Sequence, residues 1–186
     1  MLLCNWPAGR QPDKLAPSVG PWFKAKPVDE SFFESAPMRL RGSFEVAQSA
    51  EKVWAELTAD DALHWCRILQ DVSWTSPRPF GVGTTREVKA LQGANLLREH
   101  YFLWEEGRRH SFYVVESTSP LFSALAEDYL VEPLGTDVCR FTWTIAVELT
   151  ALGRASKPVN RAILKTLFTD TARHYGLGPA ATAGAY

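Results

Sequence analysis

Between residues 72 and 149 the chain carries six strand-like segments in succession, with no helical period among them: 72–75, 84–91, 95–105, 108–117, 123–131 and 138–149. The connectors Gly81-Val82-Gly83, Gln92-Gly93-Ala94, Glu106-Gly107 and Pro133-Leu134-Gly135 are far shorter than the dozen or more residues that a parallel crossover needs. Consecutive segments must therefore pair antiparallel. Along 138–149 the alternation is clearest, with Cys139, Phe141, Trp143, Ile145 and Val147 on one face and Arg140, Thr142, Thr144 and Glu148 on the other. A sheet patterned this way needs an apolar partner on one side.

The C-terminal part supplies that partner. Ser156 offers an N-cap, Pro158 suits a first turn and Gly176 a stop. Between them Val159, Ile163, Leu164, Leu167, Phe168, Ala172 and Tyr175 recur at helical spacing, opposite Arg161, Lys165, Asp170 and Arg173. Such a helix is about 30 Å long, enough to cross a whole sheet. Upstream, residues 38–47 alternate as one more half-buried strand. Ser49 caps a short helix over 50–58, and Asp60 caps a second over 61–69 that offers Leu63, Trp65, Ile68 and Leu69 for burial.

Residues 1–37 have a different texture. Pro7, Pro12, Pro17, Pro21, Pro27 and Pro37 break any regular period, while Trp6, Trp22, Phe23, Phe32 and Phe33 are too apolar for a free tail. The expectation is an irregular arm laid on a domain spanning 38–176, followed by a flexible tail over 177–186.

Three stretches carry a resemblance. They are Phe44-Glu45-Val46-Ala47-Gln48-Ser49-Ala50-Glu51-Lys52-Val53-Trp54, Phe80-Gly81-Val82-Gly83-Thr84-Thr85-Arg86, and Leu130-Val131-Glu132-Pro133-Leu134-Gly135-Thr136. Together with the order strand, short helices, antiparallel meander and long helix, they resemble the START and birch-pollen-allergen (SRPBCC) superfamily. The branch they resemble most is polyketide cyclase/dehydrase and lipid transport. The resemblance covers residues 38–176 and implies an α+β helix-grip fold: a curved antiparallel sheet of six to seven strands around the long C-terminal helix, with two short helices after the first strand. It also implies an internal cavity between sheet and helix, since members hold sterols, lipids, polyketides or aromatic compounds there. The glycines of these stretches are explained by tight turns and bulges, so the motifs speak for the scaffold and not for a reaction.

Hairpin geometry indicates which polar groups face that interior. With Gly93-Ala94 as turn residues, Val88 faces Glu99 and Ala90 faces Leu97, and directly opposed residues share a face. One face then holds Arg86, Val88, Ala90, Leu97, Glu99 and Tyr101; the other holds Glu87, Lys89, Arg98 and His100 and belongs in water. A turn at Glu106-Gly107 sets Tyr101 opposite Phe112 and Glu99 opposite Val114, which places Glu99 inside. A carboxylate there must be paired, hydrogen-bonded or protonated. Arg86, diagonal to it, is the expected partner. The pair has three readings: an ion pair that fixes strand register, a group that orients a ligand, or a proton-transfer site. Glu127 and Tyr129 join the inner face if the 117–121 loop does not slip the register by one.

Trp65, Tyr101, Phe112, Phe141 and Trp143, with Val88, Val114, Ile163 and Leu167, are candidate walls for a flat or greasy molecule, or ordinary core. Among the histidines, His100 falls outside, His110 at the sheet rim near the 106–107 turn, His174 in the last helical turn, and His64 beside Trp65 near the expected cavity mouth. None has metal-ligand spacing, and Cys4, Cys66 and Cys139 form neither a disulfide framework nor a zinc pattern. A net charge of −1 without basic runs argues against nucleic acid, and no run of about 18 apolar residues argues for an integral membrane span. Nothing resembling a secretion signal precedes Cys4.

The expectation is a cytoplasmic monomer or homodimer without metal or cofactor that binds or carries a small hydrophobic molecule. Two alternatives stand beside it. One is a cofactor-independent polyketide cyclase or dehydratase in which Glu99, Arg86 and Tyr101 act on the substrate; the other is an interaction or stress module with a filled core.

Overall fold

A computed structural model of the chain describes residues 20–178. Cys4 and Trp6 of the expected arm, and residues 179–186 of the expected tail, lie outside the described residues. The elements in chain order are β1 (Phe23–Lys24), α1 (Phe32–Ser35), β2 (Met38–Val46), α2 (Ala50–Leu57), β3 (Leu69–Trp74), β4 (Thr85–Ala90), β5 (Asn95–Glu105), β6 (Arg109–Ser117), β7 (Phe122–Gly135), β8 (Val138–Leu149), α3 (Ala151–Ala155) and α4 (Lys157–His174). Seven strands form one antiparallel sheet in the order β2-β8-β7-β6-β5-β4-β3, and β1 adds to β6 off that path. Every neighbouring pair between β3 and β8 is a hairpin, and only β2 reaches its partner β8 across the whole meander.

The sheet curls around α4. The inward residues of β8, Cys139 through Val147 at every second position, are at most 2% exposed, and they meet Leu40, Phe44 and Val46 of β2 and Leu167, Phe168 and Ala172 of α4 in one core. Phe168 stands edge-on to Trp143 with ring centroids 5.4 Å apart, a favoured aromatic geometry. The result is the helix-grip α+β architecture.

Four sequence expectations are corrected. Residues 59–68 run as turns instead of a second short helix, because Leu63 takes a left-handed backbone (φ 62°) that no α-helix continues through. The Ser49 cap does hold: its side chain accepts from the Lys52 amide at the start of α2. The short helix α3 precedes α4, capped by the Thr150 side chain on the Gly153 amide, whereas Ser156 leads into α4 without a side-chain cap bond. The β4–β5 register is two residues from the expected one, pairing Arg86 with Glu99, Val88 with Leu97 and Ala90 with Asn95. The cause is the turn. The Leu91 amide bonds the Ile68 carbonyl next to β3, and Leu91, Gln92 and Gly93 all take positive φ, which makes a four-residue connection. A shift of two keeps each side chain on its face. Finally, His110 lies inside the sheet, fully buried among Trp54, Tyr101, Trp104 and Tyr129, and not at its rim.

The described part of the arm lies on the convex side. β6 and β7 pair only from Arg109↔Leu130 to Tyr113↔Ala126, and beyond that point they part. The arm fills the gap: β1 pairs Phe23 with Ser117, the Ala25 amide bonds Val115 O and the Lys26 amide bonds Ser123 O. Phe32 and Phe33 of α1 then bury against Tyr113, Ala124, Ala126 and Ala146. These outward residues of the sheet are therefore dry.

Candidate functional site

A cavity of about 150 Å³ lies between the inner face of the sheet and α4. Its walls are apolar over most of their area, with Met38, Val147 and Leu149 from β2 and β8, Val88, Ala90 and Leu97 from β4 and β5, and Ile163, Leu164 and Leu167 from α4. Alternation on the strands and the 3.6-residue period on the helix put these residues there. At one end the wall turns polar, where Arg86, Glu99, Glu127, Tyr129 and Trp143 converge.

The register sets Arg86 directly across from Glu99, and the guanidinium grips one carboxylate oxygen twice: Nε and Nη2 both lie 2.7 Å from Oε2. Both side chains are buried, with 1% and 6% exposure. The guanidinium also rests over the rings of Phe112 (4.7 Å), Trp74 (5.2 Å) and Tyr101 (5.5 Å), while its Nη1 makes no hydrogen bond. An aromatic surround of this kind offers a dry cation partial compensation. Burial works against the charge of Arg86, and Glu99, with Tyr101 and Tyr129, more than offsets it, so Arg86 stays a cation. Burial pushes Glu99 up, and Arg86 pulls it part of the way back.

Glu127 is the second carboxyl of the interior, half-buried because it faces the cavity. The Tyr129 hydroxyl (2.9 Å) and the Trp143 indole N–H (3.0 Å) both donate to its Oε2, which leaves Oε1 to take a proton. Burial, and then the nearby charge of Glu99, push its pKa up to about 7. Two carboxyls in one dry space cannot ionise with equal ease, and the one gripped by arginine is the stronger acid of the two in physical terms. His110 is held neutral by burial and by the charge of Arg86, so its pKa falls well below the ordinary value.

Of the residues expected to touch a ligand, Arg86, Val88, Glu99, Glu127 and Tyr129 line the cavity, as do Trp143, Ile163 and Leu167. Five others stand elsewhere. Trp65 donates its indole N–H to Thr171 and stacks on His174 at 4.1 Å, which ties residues 59–68 to the end of α4. Tyr101, Phe112, Val114 and Phe141 are solid core between the cavity and the far end of the sheet. The Tyr101 hydroxyl is buried without a hydrogen-bond partner, and burial drives its pKa strongly upward. His64 is exposed and packs on Trp65 and His174.

Sequence reasoning missed the wall residues Asn95, Ser119 and Leu121, which sit in or beside turns whose course no periodicity reports, and Asn160, a polar residue on the helical stripe of Ile163, Leu164 and Leu167. Met38 and Leu149 were also missed, although both fall on the inward phase of their strands. Among the described residues no group of three or more histidine, cysteine or carboxylate side chains converges as metal ligands, and no helix is long and apolar enough to cross a membrane.

Several known proteins resemble the chain in sequence or in fold. Uncharacterised proteins of Mycobacterium tuberculosis and Mycobacterium bovis are each 36% identical to it over 138 residues, which is 74% of this chain and 81% of theirs. Among solved structures, a START superfamily protein from Mycobacterium smegmatis superposes with a TM-score of 0.61 at 15% identity, covering 75% of this chain and 97% of that one. The Zhui aromatase/cyclase of Streptomyces sp. R1128 gives a TM-score of 0.58 at 12% identity, covering 73% and 94%. At such identities these two likenesses speak for the fold. The family described as polyketide cyclase / dehydrase and lipid transport matches residues 37–177, so the chain belongs to that family.

Proposed function

We infer that the protein binds one small, largely apolar molecule in this cavity and orients it by a single uncharged polar group, such as a carbonyl or hydroxyl. The observation that carries the reading is an apolar hollow ended by the Arg86–Glu99 pair, whose opposite charges balance, beside Glu127, which burial shifts toward its neutral form. Neutrality disfavours a ligand with net charge, since nothing would offset the desolvation of that charge. Volume bounds the rest: an aliphatic cavity of roughly 150 Å³ accommodates a benzene-sized group. One ring or a short acyl segment therefore fits, and a longer molecule has to extend out of the cavity or displace its walls. The hollow also counts against the filled-core interaction module.

Native mass spectrometry of gently purified protein tests this. The expected result is an adduct of small mass that is lost on denaturation and absent from Ala90→Phe, in which the added ring occupies the hollow. Protein that carries no adduct, and whose melting point does not move with any monocyclic aromatic or short-chain ketone, would overturn the reading.

A second reading, cofactor-free dehydration of a β-hydroxy carbonyl compound, is favoured by the single observation that Glu127 titrates near neutrality on the cavity wall. Ionised Glu127 would take the proton α to the carbonyl, Arg86 would compensate the enolate oxygen, and protonated Glu127 would return the proton to the departing hydroxyl as water. The likeness to an aromatase/cyclase supports this class of chemistry. Glu99, held by two arginine nitrogens, and Tyr101, outside the hollow, are poorer candidates for the proton step than the sequence suggested. Glu127→Gln should then abolish turnover and keep ligand affinity; unchanged turnover removes Glu127 from the reaction.

A further inference from the structure

Among the cavity's wall residues Leu91 is exposed and Asn95, Ser119, Leu121 and Asn160 are half-buried, which places an opening between the β4–β5 turn, the 118–121 loop and the first half of α4. The charge distribution around this mouth is one-sided. Residues 91–97 and 117–123 contain no charged side chain, and residues 149–169 contain Arg154, Lys157, Arg161 and Lys165 with no acid at all. In a chain of net charge −1 the remainder therefore carries −5. Among the described residues, Lys157, Arg161 and Lys165 make no ion pair or side-chain hydrogen bond, unlike most arginines of the sheet.

These cations do not serve the helix. Lys157 and Arg161 stand in its first turns, where the macrodipole is positive and acidic residues are favoured, yet its first turn has none. At 100° per residue Lys157, Arg161 and Lys165 form one row, and the cavity-lining stripe of Asn160, Ile163, Leu164 and Leu167 runs beside it. Val159 flanks the stripe on the other side. Val159 and Leu152 are 59% and 58% exposed, and Leu91 on the opposite lip is 37% exposed.

Unpaired cations beside exposed aliphatic side chains, around the opening of a hydrophobic hollow, fit a surface that is anionic outside and apolar beneath. We propose that this end of the molecule docks on an anionic lipid bilayer, with Lys157, Arg161 and Lys165 at the headgroups and Leu91, Leu152 and Val159 entering the acyl boundary. Nucleic acid would meet the same charges, but it gives no reason for three exposed aliphatic residues among them. The docking does not depend on what occupies the cavity, so it can hold or fail independently of the ligand reading.

Flotation of the full-length protein with phosphatidylcholine vesicles, with and without phosphatidylglycerol, tests it. The expected result is binding to the anionic vesicles alone, weakened by salt. It should fall by about tenfold or more in Lys157→Glu/Arg161→Glu/Lys165→Glu and also in Leu152→Asp/Val159→Asp, with unchanged circular dichroism in both. Arg108→Glu, on the far turn of the sheet, should bind as the parent does. Absence of binding to anionic vesicles would overturn the proposal. So would equal binding to neutral ones, indifference to both sets of substitutions, or binding to duplex DNA as tight as to anionic vesicles.

Discussion

Glu127 makes the stability of the fold depend on pH in a direction opposite to the usual carboxylate. Its folded pKa of about 7 lies above the ordinary 4.5, so between those values the folded state holds a proton that the unfolded chain has released. The stabilisation is complete below pH about 4.5 and is lost as pH rises through about 7, for a total of up to about 3 kcal/mol. Glu99, also raised by burial, acts in the same direction. Urea titrations at pH 5 and 8 should therefore show the parent losing stability at the higher pH, and Glu127→Gln, which keeps an acceptor for Tyr129 and Trp143, losing less. A mutant with the same pH dependence as the parent would mean that Glu127 is already ionised in the folded state. The Arg86–Glu99 pair contributes differently: a dry ion pair is weak evidence of net stability, but removing either partner strands a buried charge.

Around the cavity mouth, α3 and the 118–121 loop are bonded through Thr150 and pack tightest at Gly153. A Cβ there would lie 1.8 Å from the Leu121 carbonyl oxygen, which is backbone and cannot swing aside. Gly153→Ala should therefore push α3 off the 118–121 loop, lower the unfolding free energy from urea titration by about 1–3 kcal/mol and alter entry to the hollow. Equal stability and equal ligand uptake would show that the two segments separate at little cost. None of this contact was legible in the sequence, where α3 does not stand out from its neighbours. The strands were legible because inward phase is written into alternation: the expected bounds of β5 and β8 coincide with those observed, and Tyr101↔Phe112 and Glu99↔Val114 pair as expected. The β4–β5 register was not, since it depends on a turn of three left-handed residues and on the Leu91 amide reaching Ile68. Because the error was two residues, Arg86 and Glu99 still came out on the inner face, opposed instead of diagonal. His110 escaped for a related reason. Position near a turn suggests a rim, but Trp54 of α2 and Trp104 of β5 close over it, and nothing local in the sequence announces that lid.

The family match begins at residue 37, so the arm that completes the sheet lies outside the family's common domain. Yet β6 and β7 diverge after Tyr113 and Ala126, and a pair of strands left apart exposes backbone donors and acceptors that invite association. The arm answers this by bonding Val115 on one strand and Ser123 on the other, and by covering Tyr113, Ala124, Ala126 and Ala146 with Phe32 and Phe33. Ion pairs of Lys26 with Glu148 and of Glu30 with Arg109 sit at its margins, where water screens them. We therefore propose that the arm is a structural part of the domain and has no share in the cavity, which lies on the other side of the sheet. A chain starting at Pro37 should lose about 3–6 kcal/mol, from two buried phenylalanines at roughly 1.5–3 kcal/mol each. It should also associate at concentrations where the parent is monodisperse, while the folded fraction still takes up the cavity ligand. Unchanged stability would make the arm a passenger, and a stable truncated protein that no longer binds ligand would mean that the arm holds the hollow open from behind.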